Sequence, residues 1–343
     1  MSDVEFKIQS ALPLVSNILN SISATSSLIV IVIFSTLGFY RPKLIDRVSL
    51  KLQFGISVID LLNSFFALFH HSVKSGPFCV FIGFWRAFGE EMYCLLNIAI
   101  AVNLQLVFIH SFPPKKKWEL FYWFGPILTA SVLSFIPLGM NLYGLNKGKV
   151  CFIKEDLPNS YPIILLNTSI IYSITFIYLF IVSFIIIMKL RDDRNTVISM
   201  SHLANTAKLG DRVKLIKRLK KLIIRVSLYP IAALFGLSGF VVAYINNAIT
   251  GGKRNIGISL WGMIGITTKG TVNLITFLLD PSVQHALKKV WQDVSRGIRS
   301  RFGGNARQDV VPEGGLAYTD STEIDSSERL VVELDAETLE RYL

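Results

Sequence analysis

Long apolar runs punctuated by short basic segments dominate this chain. Seven runs, near 14–37, 48–71, 79–110, 120–143, 161–188, 222–249 and 257–280, reach or approach the roughly 20 residues that cross a hydrocarbon core as a helix. In lipid a spanning segment must satisfy its own backbone hydrogen bonds, and an isolated strand would leave open edges, so each run predicts a helix. Pro126, Pro137, Pro162 and Pro230 fall inside the runs, which membrane helices tolerate. The pattern predicts an all-α membrane protein: a seven-transmembrane helix bundle over 14–280, with residues 1–13 as a short leading segment.

Three further stretches follow a different rhythm. In "KLGDRVKLIKRLKKLIIR" (208–225) apolar residues recur at 209, 213, 216, 219, 222 and 223 with basic residues between them, which predicts a basic amphipathic stalk continuing the sixth span. After Asp280–Pro281, residues 281–302 place Val283, Leu287, Val290, Trp291, Val294 and Ile298 on one stripe, the pattern of a helix lying on a membrane surface. Residues 303–343 are Gly-rich and then acidic, a composition that predicts a disordered tail. Thr319, Ser321, Thr322, Ser326 and Ser327 stand among its acids as candidate phosphorylation sites.

Composition strengthens the membrane reading. Of 343 residues 51% are hydrophobic and 17% charged, and mean hydropathy is +0.49; a soluble domain of this length carries more charge and shorter apolar runs. Lys and Arg set the orientation. With the N-terminus outside, 21 of them collect on the inner side and seven on the outer. The prediction is therefore a multi-pass plasma-membrane protein, N-terminus extracellular and C-terminus cytoplasmic. "MSDVEFKIQSALP" lacks the basic start and cleavage site of a secretory signal, so the first span is expected to act as its own targeting signal. The net charge of +11 hides an acidic tail, in which residues 304–343 hold ten acids and three bases. The basic surplus lies mostly on the inner side, pointing to anionic lipid head groups and a cytosolic partner rather than to nucleic acid.

In this topology Cys79 opens the third span on the outer side and Cys151 lies in an outer loop, so the two thiols can pair across an oxidising face or stay free. Cys94, within the third span, reads as a small apolar residue. No phosphate-cradling glycine loop, zinc cluster or nucleophile elbow is present, so no enzymatic activity, metal or cofactor is expected.

Seven helices and this cysteine pair describe a G-protein-coupled receptor, and several segments narrow the resemblance. "RVSLKLQFGISVIDLL" (47–62), "CVFIGFWRAFGEEMYCLLNIAIAVNLQLVFIH" (79–110) and "LIIRVSLYPIAALF" (222–235) resemble the second, third and sixth helices of the slime-mould cyclic-AMP receptors and the related fungal nutrient-sensing receptors. The resemblance covers roughly 40–280. It implies a small extracellular ligand and a heterotrimeric G-protein α-subunit as partners, with homo-oligomerisation left open. The third span does not end in Asp-Arg-Tyr, nor the seventh in Asn-Pro-x-x-Tyr. "TKGTVN" (268–273) stands where that family commonly has Gln-Gly-x-x-Asn, so Lys269 takes the place of a neutral amide.

Lys269 is the chemical anomaly. At the centre of a bilayer a lysine costs roughly 2.5 kcal/mol or more and seeks a partner inside the bundle. On straight helices Lys269, Glu90, Glu91 and Asp60 all fall at roughly 17–18 Å from the outer face. Glu90 and Glu91 point about 100° apart, so Lys269 is expected to pair with one of them, and with Asp60 through water as the alternative. Asn273 belongs to the same layer. The pair is either a static lock or a switch. Arg86, Glu90 and Lys269 are the ligand-binding candidates. His70 and His71 at the end of the second span are interfacial residues or pH sensors, and Trp85, Trp118 and Trp123 fit interfacial belts. Lys115, Lys116 and Lys117, with Lys214, Lys217, Arg218, Lys220, Lys221 and Arg225 of the stalk, are the G-protein-coupling candidates. The rival reading is an ion- or proton-coupled transporter using the charged layer. A third is a photoreceptor with retinal on Lys269; it lacks an Asp four residues earlier, where Gly265 stands, and a sixth-span tryptophan to pack a polyene.

Overall fold

The computed structural model describes residues 3–40, 42, 47–69, 73–110, 116–145, 150–154, 170–203, 229–243, 245–246 and 255–302. Its helices are α1 (Asp3–Tyr40), α2 (Val48–Phe69), α3 (Pro77–Phe108), α4 (Lys116–Gly139), α5 (Ile171–Leu203), α6 (Tyr229–Ala243), α7 (Ile256–Thr267), α8 (Lys269–Leu279) and α9 (Pro281–Phe302). A two-stranded antiparallel hairpin, β1 (Tyr143–Leu145) and β2 (Cys151–Ile153), follows α4. Among the described residues five helices are long and apolar enough to cross a membrane, six if α7 and α8 together count as one bent span; α6 is a shorter apolar helix. This is a multi-pass membrane protein. Its outward faces carry the expected lipid-facing residues, among them Ile18 and Val32 on α1, Phe121 and Leu128 on α4, and Ile177 and Phe184 on α5.

Three boundaries differ from the hydropathy pattern. α1 begins at Asp3 rather than near residue 14 and runs through Pro13, although its span-competent part starts at Leu12; residues 3–13 are thus helix, not a loose leader. α5 continues to Leu203, well past the end of its apolar run. Hydropathy marks where lipid ends, whereas a helix continues until Gly, Pro or a cap stops it, and 189–203 contains neither Gly nor Pro. The seventh run, expected as one helix, is broken.

That break lies at Thr268, where α7 and α8 meet at 50°. The Thr267 hydroxyl donates to the carbonyls of Met263 and Ile264, and the Thr268 hydroxyl also donates to Ile264 O at 2.8 Å. Such back-bonding draws carbonyls away from the helical ladder and bends it. Asn255 caps the start of α7, its side chain accepting from the amides of Gly257 and Ile258. On α7, a Cβ placed on Gly265 would lie 2.6 Å from the carbonyl oxygen of Gly236 on α6, so only glycine permits this backbone approach.

α3 is the axis of the bundle. Its central residues, including Met92, Tyr93, Leu96 and Ile100, form the main apolar cluster with Tyr172, Leu179 and Ile186 of α5 and Leu237 of α6. A second cluster docks α9 on α1 and α2: Val283 and Ala286 pack with Val30, Leu37, Leu50 and Phe277. The first half of the amphipathic stripe is therefore buried against protein, and Trp291 is exposed beyond it. At the opposite end the hairpin rests on α3, with Cys151 of β2 disulfide-bonded to Cys79 and Tyr143 and Ile153 buried against Ala87.

Candidate functional site

Lys269 is the first residue of α8, immediately after the break, and is only 4% exposed. Its ammonium bonds the Glu90 carboxylate of α3, which also accepts the hydroxyl of Tyr172 on α5. The ammonium lies 4.4 Å from the centre of the Tyr93 ring and 5.7 Å from that of Tyr172, so two aromatic faces add cation–π attraction to the ion pair. Tyr172 in turn packs on Phe240 of α6, ring centres 4.2 Å apart. One buried charge pair thus joins α3, α5 and α8, with α6 stacked on its hairpin side.

Glu91 takes no part in this centre. Buried at 2% exposure, it accepts the Ser134 hydroxyl of α4 at 2.8 Å, and the Tyr143 hydroxyl of the hairpin donates to the Ser134 carbonyl. Burial, with the Glu91 carboxylate adding to it, raises the Tyr143 hydroxyl above the ordinary tyrosine range, so it stays a donor. Of the two sequence candidates, the structure pairs Glu90 with Lys269 and sends Glu91 to the other side of α3.

Asp60 of α2 is 3% exposed and within electrostatic reach of both Lys269 and Glu90, yet its Oδ2 has no hydrogen-bond partner among the described residues. Asn273, one turn beyond Lys269, binds α2 instead of the ion pair. It accepts from Gln53 at 2.9 Å and donates to Ser57 at 2.7 Å. A small cavity of mixed polar and apolar lining lies beside Lys269, bordered by Gln53, Tyr93, Asn97, Tyr229 and Asn273 together with Ile56 and Val272. Its volume of about 20 Å³ is room for roughly one water. At the α9 end of this line the Tyr229 hydroxyl donates to Asp280 Oδ2 at 2.7 Å, joining the start of α6 to the end of α8.

Arg86 lies one turn above Glu90, with its guanidinium 5.6 Å from the ring centre of Phe152 in β2. It is therefore covered by the hairpin and, through its charge, part of Glu90's surroundings. Trp123 packs its ring against Gly55 of α2, and Trp85 is held among Phe66, Phe81 and Phe88. Lys116 opens α4 and Lys117 is exposed beside it. Lys115, the stalk residues Lys214, Lys217, Arg218, Lys220, Lys221 and Arg225, the five tail phosphorylation candidates, and His70 and His71 lie outside the described residues.

Sequence reasoning missed Tyr172, Tyr93, Ser134 and the Tyr229–Asp280 bond. Tyr172 sits in a run so apolar that nothing marks it as special. Tyr229 and Asp280 had a signal, since each immediately precedes a proline, Pro230 within the sixth run and Pro281 at the end of the seventh. No group of three or more His, Cys, Asp or Glu able to hold a metal occurs among the described residues. A scan against models of known protein families finds no match, and neither does a search of curated proteins.

Proposed function

We propose that this protein is a seven-helix plasma-membrane receptor, N-terminus outside, that binds a small extracellular ligand and promotes nucleotide exchange on a heterotrimeric G protein. The observation that carries the reading is the buried Lys269–Glu90–Tyr172 centre at the break of the last spanning pair. It joins α3, α5 and α8, and α6 is stacked on it. A ligand arriving on the hairpin side that displaces Tyr172 changes how these helices pack. α6 is bonded at its far end to Asp280, so the change reaches the end from which the basic 208–225 stalk would extend. A ligand shifts such an equilibrium only by its differential affinity for the two states. The acidic tail then serves as a phosphorylated regulatory segment, and α9, with the exposed Trp291 and the neighbouring Lys288, lies on anionic lipid.

A transporter is the second reading, and one observation favours it. Discontinuous helices with a charge at the break are how many transporters build a midplane site, and α7–α8 has that form. The cavity beside Lys269 argues against an organic cargo or a retinal chromophore there, because sites for such molecules run to about 300 Å³ or more against about 20 Å³ here.

The deciding experiment is GTP exchange on a co-expressed Gα subunit in membranes with and without the protein. It uses a panel of cyclic nucleotides, sugars and amino acids, and a variant with Lys217, Arg218, Lys220 and Lys221 changed to Glu. Exchange that depends on the protein and is lost in the charge-reversed variant supports the receptor. Proton flux that survives the reversal, without exchange, replaces it with the transporter.

A further inference from the structure

We propose that Lys269 has two berths, the Glu90 carboxylate it occupies in this structure and the Asp60 carboxylate on α2, and that moving between them releases α3 from α8. Its consequence for signalling rests on the receptor reading; the exchange itself does not.

The unpartnered Asp60 oxygen is the starting point. A carboxylate oxygen buried in a bundle without a donor is costly unless a hydrogen bond or a close charge compensates it, and Asp60 Oδ2 has no hydrogen-bond donor among the described residues, with Lys269 acting on it only at a distance. Helix register shows which cation is available. Asn273 bonds Ser57, α2 and α8 run in opposite directions, and Lys269 lies one turn before Asn273 while Asp60 lies three residues after Ser57. The two charges are thus level across the α2–α8 interface. A free metal cation in this position would meet the Lys269 ammonium, so the cation suited to Asp60 is Lys269 itself.

Lys269 can also make the move. A lysine carries three rotatable donors on a flexible four-carbon stem, and it follows directly on Thr268, where the helix bends by 50°. Glu90 holds the ammonium in this structure because the Tyr172 hydroxyl and the Tyr93 ring complete that berth. Loss of the Tyr172 contact removes part of that advantage and shifts Lys269 towards Asp60. α6 passes close by, since a Cβ built on its Gly236 would lie 3.7 Å from Lys269 Cγ.

The test is a thermodynamic cycle on the full chain in lipid nanodiscs, following the unfolding equilibrium without any G protein. Coupling between Lys269→Met and Asp60→Asn is measured in the parent and again in a Glu90→Gln background. With Glu90 intact the coupling is expected within about twofold of unity, and without its charge it rises by about tenfold. Equal coupling in both backgrounds overturns the proposal. If Glu90→Gln does not fold, Glu90→Asp, which keeps the charge but withdraws it by one methylene, takes its place, and a smaller rise of about threefold is expected, with no rise overturning the proposal. Nucleotide exchange raised by Glu90→Gln and returned to the parent level by adding Asp60→Asn would connect the two berths to signalling. A positive cycle with no exchange in any variant overturns the receptor reading alone.

Discussion

Glu90 and Glu91 are consecutive residues of α3, both in the interior, and the two faces they serve are built on different principles. The Glu91 face, towards α4 and the hairpin, is a chain of hydrogen bonds through Ser134 and Tyr143, fastened by the Cys79–Cys151 bridge. The Glu90 face, towards α5 and α8, joins one ammonium to one carboxylate, with a second carboxylate nearby, and a cavity and a broken helix beside it. One face has a single arrangement of partners, whereas the other has one cation and two acceptors. A receptor or a transporter needs both kinds: a fixed scaffold to move against and an element with two states.

The largest effect expected from this comparison is at Lys269. Lys269→Met leaves Glu90 buried without its cation and should cost about 3–5 kcal/mol. Lys269→Met combined with Glu90→Gln should recover most of that loss, as read by denaturant unfolding in nanodiscs. A single variant as stable as the parent would erase the distinction between the faces. Next comes Cys151→Ser, expected to cost about 2–4 kcal/mol under oxidising conditions and nothing further when the parent is reduced. That loss should add to the loss from Lys269→Met within about 0.5 kcal/mol if the faces are independent. Ser134→Ala removes one donor to a buried carboxylate and should cost about 1–3 kcal/mol. This value should be the same in a Glu90→Gln background, because the Glu91 face does not share Lys269. Smallest is Lys51→Ala, which removes the part-exposed bridge to Glu119 at 2.9 Å. It should cost no more than about 1 kcal/mol and the cost should fade in high salt, unlike the buried pair.

Much of this arrangement was legible before the fold. Apolar runs of spanning length located the core of each described helix except α9, which its amphipathic stripe marked instead, because lipid allows few other ways to satisfy a backbone. Asp60, Glu90, Glu91 and Lys269 were legible as a layer, because helical rise converts sequence separation into depth and charge in lipid is costly enough to stand out. The 100° separation of Glu90 and Glu91 already required that they face different neighbours.

Which neighbour each one met was a tertiary matter. Depth follows from one chain segment, but azimuth depends on how helices rotate against one another, and that is set by contacts such as Gly265 on Gly236 and Trp123 on Gly55. The break at Thr268 was also hidden from the hydropathy pattern, since threonine and glycine are neither apolar enough to extend the pattern nor polar enough to interrupt it. Tyr172 became part of the site only when α5 was laid against α3. By itself the sequence determined that charges lie in the membrane and at what level; the tertiary structure decided which of them touch, because depth follows from local helical geometry and pairing from the packing of the whole bundle.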